Sequence, residues 1–414
     1  MNTIDKDPVL PIYSGACISN VMPVITDILA AANDTGGIDS VGGGGPRSIL
    51  TPSLPLYRDG NSSAVPLDDG DTPDWVPSCL FEARQIAVLV VDGLGWLQMQ
   101  RYESPDTLRE MEGGWITSVA PTTTAAALTS LTTGLPPSVH GMVGYRMKVR
   151  QHDTDDVLNA LRWRTESGGD ARTQVRPREF QPAAPFGDKS VPVVARADLC
   201  GTGFTAAHLY GSRHVSWKVP SSIPVEVERL LKSGESLVYI YYDGVDRVAH
   251  AYGLGDHYEA ELGYVDDLIA GILEVLPDGA ALVVTADHGQ VHMDGPAIEM
   301  DPTILEMVDL ISGEGRFRWL HCKGDVLPDL LEAAEYIYGD LAWVCSRTQI
   351  MDEAWMGQGM TAAVAERLGD IALVAREPVA FMDPADVGES RLKARHGSLT
   401  REEIMVPFVA YLNG

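Results

Sequence analysis

Long apolar runs, three of which lead directly into Asp-Gly or Asp-His, are the main hydrophobic pattern of this chain. Four runs predict β-strands: IAVLVVDG, WITSVAP, SLVYIYYDG and AALVVTADHG. Continuous apolar runs are typical of strands that are buried on both faces of a sheet. Helix-like segments lie among them, at residues 104–112, 124–133 and 257–276. This alternation predicts an α/β fold with a central, mostly parallel sheet and helices on both faces.

The pattern also divides the chain. Apolar positions at helical spacing predict a helix over residues 19–32, and the Gly-, Pro- and Asp-rich stretch 33–77 that follows predicts a long loop. We therefore interpret residues 1–80 as a lead-in that is part of the main domain. Between residues 141 and 201 the apolar pattern weakens, which predicts an excursion from the central sheet with a hairpin of its own.

A second, smaller α/β pattern occurs near the C-terminus. RFRWLH, LAWVCS and DIALVAR read as strands, and VLPDLLEAAEYIY reads as a helix. This pattern lies between two stretches that carry parts of one candidate site. It predicts an inserted cap subdomain over residues 295–381, within a catalytic α/β domain formed by residues 81–294 and 382–414.

Composition narrows the class of protein. The 414 residues are 45% hydrophobic and 21% charged, as in ordinary globular proteins. A formal net charge of −27 argues against binding to a nucleic acid polymer or an anionic membrane. It is compatible with a small anionic substrate, because a bound dication reverses the local field. Five scattered cysteines and the absence of a signal-peptide pattern favour a reducing, cytoplasmic location.

Acidic and imidazole side chains follow the predicted strands. These candidate metal ligands are Asp92, Asp246, His250, Asp287, His288 and, near the C-terminus, His396. Ligands of open α/β sheets bind at the carboxyl ends of the strands, where these groups would converge. A lone Asp after a strand is more often a turn former or a helix cap. The conjunction favours divalent metal ions, because buried carboxylates need partners.

The segment APTTTAAALTSL adds a candidate nucleophile. A small-residue helix is predicted to begin near Thr124, and a hydroxyl at a helix N-terminus lies where an anion binds. A Thr in this position is also a good N-cap, and, taken alone, capping is the simpler interpretation.

Together, these residues resemble the alkaline phosphatase superfamily and, within it, the type I phosphodiesterase/nucleotide pyrophosphatase family. The resemblance covers residues 86–412 and rests on the order Asp, Thr, Asp-x-x-x-His, Asp-His, His. The family spacing P-T-x-T matches Pro121, Thr122 and Thr124 and makes Thr124 the nucleophile, and GLPPSVHG is similar to the family's GLYPESHG.

The resemblance implies two divalent metal ions, zinc first, with manganese or iron as alternatives. It assigns one ion to Asp246, His250 and His396. It assigns the other to Asp92, Asp287, His288 and the oxygen of Thr124. The implied reaction is hydrolysis of a small phosphate ester through a covalent phospho-threonine.

One departure from the family keeps the substrate open. Ala127 stands where nucleotide pyrophosphatases have an Asn three residues after the nucleophile, so a phosphomonoester or a phosphonate remains an alternative to a nucleotide diester. A non-catalytic metal-binding protein is a further alternative. The substrate-binding residues are not identified. Arg318, His321 and Arg347 are candidates for binding a substrate anion, although surface ion pairs explain them equally well, and Asp243 receives no role.

Overall fold

The computed structural model describes residues 7–34, 74–151, 154–386 and 391–414. Most of the predicted loop 33–77 therefore lies outside the described residues. The strands in the described ranges are β1 (Gln85–Val91), β2 (Glu112–Thr117), β3 (Arg146–Gln151), β4 (Thr154–Asn159), β5 (Arg164–Thr165), β6 (Pro192–Arg196), β7 (Arg213–Trp217), β8 (Leu237–Tyr242), β9 (Ala280–Thr285), β10 (Val291–His292), β11 (Val308–Glu314), β12 (Phe317–Cys322), β13 (Ala342–Ser346), β14 (Ile371–Ala375), β15 (Ala394–Arg395) and β16 (Met405–Leu412).

The helices alternate with these strands along the chain. They are α1 (Val21–Asp34), α2 (Trp96–Arg101), α3 (Asp106–Glu110), α4 (Thr124–Thr133), α5 (Pro137–His140), α6 (Pro177–Phe180), α7 (Gly203–His208), α8 (Ile223–Lys232), α9 (Gly244–Tyr252), α10 (Asp256–Leu273), α11 (Pro302–Met307), α12 (Leu327–Tyr338), α13 (Arg347–Asp352), α14 (Ala362–Ala365) and α15 (Arg401–Ile404).

The central sheet has seven strands in the order β2-β16-β9-β1-β8-β6-β7. β9, β1, β8, β6 and β7 pair in parallel, and β16 is antiparallel to both of its neighbours. The side chains of β9 are completely buried, and those of β1 nearly so, as the continuous apolar runs predict. One group of helices includes α1, α4 and α7, and a second includes α3, α8, α9 and α10. The predicted α/β class with a mostly parallel sheet is confirmed.

The sequence-based prediction was wrong about which residues belong to the central sheet. The excursion predicted over residues 141–201 contains a separate antiparallel sheet, β3-β4-β5, but β6 within that range returns to the central sheet. β7, which was not predicted at all, is the edge strand beside it. Four of the five residues of β7 are at least partly exposed, so this strand does not need the apolar run that marks a central one.

Residues 308–375 form a four-stranded antiparallel sheet, ordered β11-β12-β14-β13, with a hydrophobic core of its own. The guanidinium of Arg316 on the connection between β11 and β12 forms a buried ion pair with Glu403, with contacts of 2.7 and 2.8 Å. This pair connects the smaller sheet to α15, next to the C-terminal strand of the central sheet. No helix in the described residues is both long enough and apolar enough to cross a bilayer.

Candidate active site

The carboxyl ends of β1 and β9 bring three predicted residues together. Asp92 follows β1, and Asp287 and His288 follow its neighbour β9. The Nε2 atom of His288 lies 3.4 Å from Asp92 Oδ1 and 3.4 Å from Asp287 Oδ2. All three side chains are buried. Parallel pairing of adjacent strands therefore explains this convergence.

A second cluster lies beside the first. Asp246 and His250 are one turn apart on α9, which follows β8, and His396 follows β15. Asp246 Oδ1 lies 3.2 Å from Nε2 of His250 and 3.8 Å from Nε2 of His396. One ligand atom each from Asp92, Asp246 and His288 also lie within 4.8 Å of one another. Asp246 thus adjoins both clusters, and not only the one to which the sequence assigned it.

The three histidines are held in the same way. Nδ1 of His250 bonds the carbonyl of Ala394 at 2.8 Å, Nδ1 of His288 bonds that of Gly289 at 3.0 Å, and Nδ1 of His396 bonds that of Thr122 at 2.8 Å. A carbonyl can only accept, so Nδ1 donates in each ring, and Nε2 is the nitrogen that faces the carboxylates. Hydrogen bonds of this kind, made by the ring nitrogen that does not bind the metal, orient metal-binding imidazoles.

The buried carboxylates fit a cation. Among the residues that the structure describes, Oδ1 of Asp92 and Oδ2 of Asp287 are buried and have no hydrogen-bond partner. Burial and the neighbouring Asp287 and Asp246 raise the pKa of Asp92 well above its usual range, and burial raises that of Asp287. Buried, mutually repelling carboxylates are costly unless a positive charge compensates them. Oxygen and imidazole donors in this arrangement suit a divalent metal.

Gly93 allows the two clusters to approach each other. Its φ is +77°, and a Cβ atom there would lie 2.8 Å from Gln290 Nε2 and 3.0 Å from the Asp246 backbone. Its N–H donates to Asp287 Oδ1 at 3.1 Å. A side chain at this position would therefore separate the strand ends that carry the carboxylates.

Thr124 is the first residue of α4, and Thr123 is the N-cap. The capping interpretation of Thr124 is therefore wrong: its hydroxyl lies 3.2 Å from His288 Nε2 instead. The first turn of an α-helix leaves backbone N–H groups without intrahelical partners, which suits an anion beside Thr124.

Thr122 holds the segment that carries His396. Its hydroxyl donates to the carbonyl of Ser398 at 2.7 Å and accepts the N–H of Gly397 at 3.0 Å. Together with the bond from His396 to the Thr122 carbonyl, these contacts tie a residue far along the chain to the segment before α4.

Two cavities meet at Thr124, Leu161 and Asp246. We call the first, of about 280 Å³, the His396 cavity; it is lined by Thr123, Thr124, Tyr145, Leu161, Arg162, Asp246, His250, Glu314, Gly315, Asp386, Leu392, Arg395 and His396. We call the second, of about 230 Å³, the Phe204 cavity; its lining includes Asp92, Thr124, Leu128, Leu161, Ala195, Leu199, Phe204, His208, Leu209, Tyr239, Tyr241 and Asp246.

Several residues singled out from the sequence lie elsewhere. Arg318 is buried and donates to the carbonyls of Phe381 and Gly313, and His321 bonds Ser312 at 2.8 Å. Neither Arg318, His321 nor Arg347 lines the two cavities. Arg347 pairs with Asp370 instead.

Asp243 lines one of the two cavities, whereas Ala127 lines neither. Asp243 pairs with Arg196 at 2.5 Å on the wall of the Phe204 cavity. Ala127 is fully buried in the core and lines neither cavity.

Sequence reasoning missed the residues that shape the two cavities. Leu161 and Arg162 come from the turn between β4 and β5, and Phe204 and His208 from α7. The Phe204 and His208 rings stack with centroids 3.9 Å apart. All four lie in or just after the stretch of weak periodicity, where no spacing marked them. The hairpin predicted there was the one available signal.

His140 is a buried histidine that makes the free energy of unfolding depend on pH. The ring of His140 on α5 forms a hydrogen bond of 2.8 Å with the hydroxyl of Ser130 on α4. It also accepts the N–H of Met142 at 3.0 Å. Burial, followed by the charge of Arg367, lowers the pKa of His140 to about 3, against about 6.5 in an unfolded chain. Between these values only the unfolded chain takes up the proton, so the free energy of unfolding falls as pH drops below about 6.5.

We expect the His140→Asn variant to lose less stability than the wild type between pH 7 and pH 5. The difference should be about 2 kcal/mol, read from urea unfolding curves at both pH values. His257→Asn, at an exposed position, should follow the wild type. Equal losses for all three proteins would contradict a buried, neutral His140.

Comparisons with known proteins identify a matching family model and similar solved structures. The family model described as "Type I phosphodiesterase / nucleotide pyrophosphatase" matches residues 86–399. No curated protein sequence matches significantly. Among solved structures, murine ectonucleotide pyrophosphatase / phosphodiesterase 5 is 15% identical, with a TM-score of 0.60 over 79% of this chain and 88% of that one.

Two further solved structures are similar. The human ectonucleotide pyrophosphatase / phosphodiesterase 5 is 14% identical, with a TM-score of 0.59 over 79% of this chain and 87% of its own. Phosphonoacetate hydrolase from Sinorhizobium meliloti 1021, in complex with phosphonoformate, is 18% identical, with a TM-score of 0.58 over 81% and 90%. At these identities the likeness establishes a shared fold.

Proposed function

The chain belongs to the type I phosphodiesterase/nucleotide pyrophosphatase family of the alkaline phosphatase superfamily, and from this we propose that it hydrolyses phosphodiesters through a covalent phospho-threonine on Thr124. That it is a phosphoester hydrolase of the phosphodiesterase/pyrophosphatase type follows from the family. The nucleophile, the two cations and the preference for diesters are the proposal. The observation that carries it is the Thr124 hydroxyl between two clusters of cation ligands.

Two divalent cations, zinc in the first instance, would be held by this chain's own residues. Asp246, His250 and His396 would hold one of them. The other would be held by Asp92, Asp287 and His288, with Thr124 beside it. When bound, the cations supply the positive charge that lowers the pKa of the Thr124 hydroxyl and offsets the charge that develops on the reacting phosphate.

The protein residues carry out the transfer in two steps. The oxygen of Thr124 attacks phosphorus in line and gives up its proton to solvent; the bond to the leaving oxygen breaks, and the electron pair goes to that oxygen, which takes up a proton from solvent. Water then attacks phosphorus, the bond between phosphorus and the Thr124 oxygen breaks, and the proton that the water loses is balanced by the one that restores the Thr124 hydroxyl. The N-terminus of α4 contributes its positive end to the phosphate oxygens, which supplies donors that Ala127 cannot.

The presence of two cavities favours a diester over a monoester. The His396 cavity adjoins His250 and His396, and the Phe204 cavity adjoins Asp92; Thr124 lies in both. A diester or a substituted phosphonate has two groups on phosphorus, one for each cavity. The leucine and aromatic side chains of the Phe204 cavity suit the apolar part of an organic group that stays on phosphorus during the first step, and Asp243 and Arg247 also line this cavity.

We expect bis-p-nitrophenyl phosphate to be hydrolysed with a kcat/KM roughly 10- to 100-fold above that of p-nitrophenyl phosphate. The reason is that burial of a second aryl group is worth about 1.5–3 kcal/mol. A p-nitrophenyl phenylphosphonate, which also fills both cavities, should resemble the diester. Release of p-nitrophenolate measures all three rates, and metal content is determined on the same sample.

The Phe204→Ala variant tests where the second group binds. It should lower kcat/KM for the diester and leave that for the monoester within about threefold, because the lost contact area faces only the retained group. A clear preference of the wild-type protein for the monoester would overturn the diester assignment and favour a phosphomonoesterase.

A further inference from the structure

Gln290 is a buried glutamine whose amide contacts the carboxylate that lies between the two clusters. It follows His288 and Gly289 in the segment after β9, and its side chain is completely buried. Its Nε2 atom donates to Asp246 Oδ1 at 2.6 Å. A carboxylate can only accept, so the amide nitrogen, and not the amide oxygen, faces Asp246. A neutral side chain thus contacts a carboxylate that adjoins both clusters.

The amide oxygen of Gln290 gives the fold no evident benefit. In the ranges that the structure describes, this Oε1 atom is buried and has no hydrogen-bond partner. A buried oxygen without a partner costs free energy, which an apolar side chain of similar length, such as methionine, would avoid. The stability of the fold therefore does not explain why an amide occupies this position.

The backbone around Gln290 is held by contacts that do not involve its side chain. The amide nitrogen of Gln98 on α2 donates to the carbonyl of Gln290. The N–H of Gly289, one residue earlier, donates to the carbonyl of Glu403 at 2.8 Å. The segment should therefore keep its path when the side chain of Gln290 is changed.

The three carboxylates of the site differ in what surrounds them. Asp92 Oδ2 accepts the hydroxyl of Tyr241, and Asp287 Oδ1 accepts two backbone N–H groups. Both of these side chains are buried. Asp246 instead lines the His396 cavity and the Phe204 cavity, so that its carboxylate has open space on either side. The hydrogen bond from Gln290 opposes rotation of this carboxylate into one cavity or the other.

We propose that Gln290 is a positioning residue, whose amide holds the Asp246 carboxylate in the orientation in which it contributes to both cation sites. The inference rests on the two cations of the proposed function. Hydrogen bonds to the carboxylates that bind a metal orient them, and their loss usually weakens metal binding roughly 10- to 100-fold. An amide suits this position because it donates a hydrogen bond and has no positive charge to repel the cations.

Zinc binding by the full-length Gln290→Met variant tests this role. The wild type and the variant are equilibrated with zinc at buffered free concentrations, and the bound zinc per chain is measured. We expect the free zinc concentration at half-saturation to rise roughly 10- to 100-fold for both bound ions. Methionine removes the unpaired oxygen together with the hydrogen bond, so the urea midpoint of the metal-free protein should be unchanged or higher. Weaker binding of one ion only, or of neither, would overturn the inference.

Gln85 provides the matched control. It is the first residue of β1, at the opposite end of the strand from Asp92, and its Nε2 donates to the carbonyls of Leu231 and Glu235, both at 2.8 Å. Gln85→Met should lower the urea midpoint, because two carbonyls lose a donor, and leave zinc binding within about threefold of the wild type. If it weakened zinc binding as much as Gln290→Met does, lost stability would explain both effects, and Gln290 would have no positioning role.

Measuring zinc binding and hydrolysis on the same samples separates this inference from the proposed function. If the wild type binds two zinc ions that Gln290→Met binds more weakly, but hydrolyses no phosphodiester, the proposed reaction fails and the role of Gln290 stands. If the wild type hydrolyses bis-p-nitrophenyl phosphate and Gln290→Met binds both zinc ions as tightly as the wild type does, the inference about Gln290 alone fails. Fewer than two zinc ions bound to the wild type would overturn both.

Discussion

Substitution of Thr124 by alanine is expected to reduce the turnover of any activated phosphate ester by on the order of 10⁴-fold or more. The variant loses the hydroxyl that lies 3.2 Å from His288 Nε2, and with it the oxygen that the proposed covalent intermediate requires. Initial rates with bis-p-nitrophenyl phosphate measure the loss. The carboxylate and imidazole donors are unchanged, so metal content measured on the same sample should remain close to that of the wild type.

Two further variants serve as controls for Thr124→Ala. Thr124→Ser keeps a hydroxyl at the start of α4 and should retain a substantial fraction of the activity. Thr133→Ala removes a hydroxyl from the last residue of the same helix, where it donates to the carbonyl of Thr129, and should leave the rate nearly unchanged. Full activity of Thr124→Ala would exclude Thr124 as nucleophile. Loss of bound metal in that variant would point instead to a structural role.

The central sheet was predictable because burial on both faces requires continuous apolar strands. β1, β8 and β9 each appear in the sequence as such a run, and each is followed by Asp at the edge where ligands bind. β6 and β7 were not found, because β6 is short and β7 lies at the sheet edge, where water replaces part of the apolar surroundings. The reactive residues at the ends of strands can therefore be recognised in a sequence more easily than the number of strands in the sheet.

The candidate metal ligands could also be predicted, because they follow recognisable apolar strands. The contacts that hold these ligands in position could not be predicted. The contact between Thr122 and the His396 segment joins residues more than 270 positions apart, and Arg316 reaches Glu403 across the boundary of the smaller sheet. Such contacts depend on tertiary packing and leave no periodic signal in the chain.

The position of Asp246 between the two clusters was likewise invisible in the sequence, and it leads to a prediction about metal binding. Its Oδ1 lies 3.2 Å from His250 Nε2 and 3.8 Å from His396 Nε2, and a ligand atom of Asp246 is within 4.8 Å of those of Asp92 and His288. We expect Asp246→Asn to weaken both cation sites, because an amide oxygen carries no net charge to offset that of a dication.

The expected consequence is a loss of more than one metal equivalent per chain and a fall in kcat/KM of about 10³-fold or more, since metal charge contributes several kcal/mol to such transition states. Metal analysis after dialysis and rates with bis-p-nitrophenyl phosphate measure both effects. His250→Ala, which removes a ligand from one cluster, should cost only about one equivalent. Asp256→Asn, at the exposed start of α10, should cost none. If Asp246→Asn lost no more metal than His250→Ala, Asp246 would bind one cation, as the family resemblance alone implies. If Asp246→Asn lost no metal at all, the proposal of a two-cation site would be wrong.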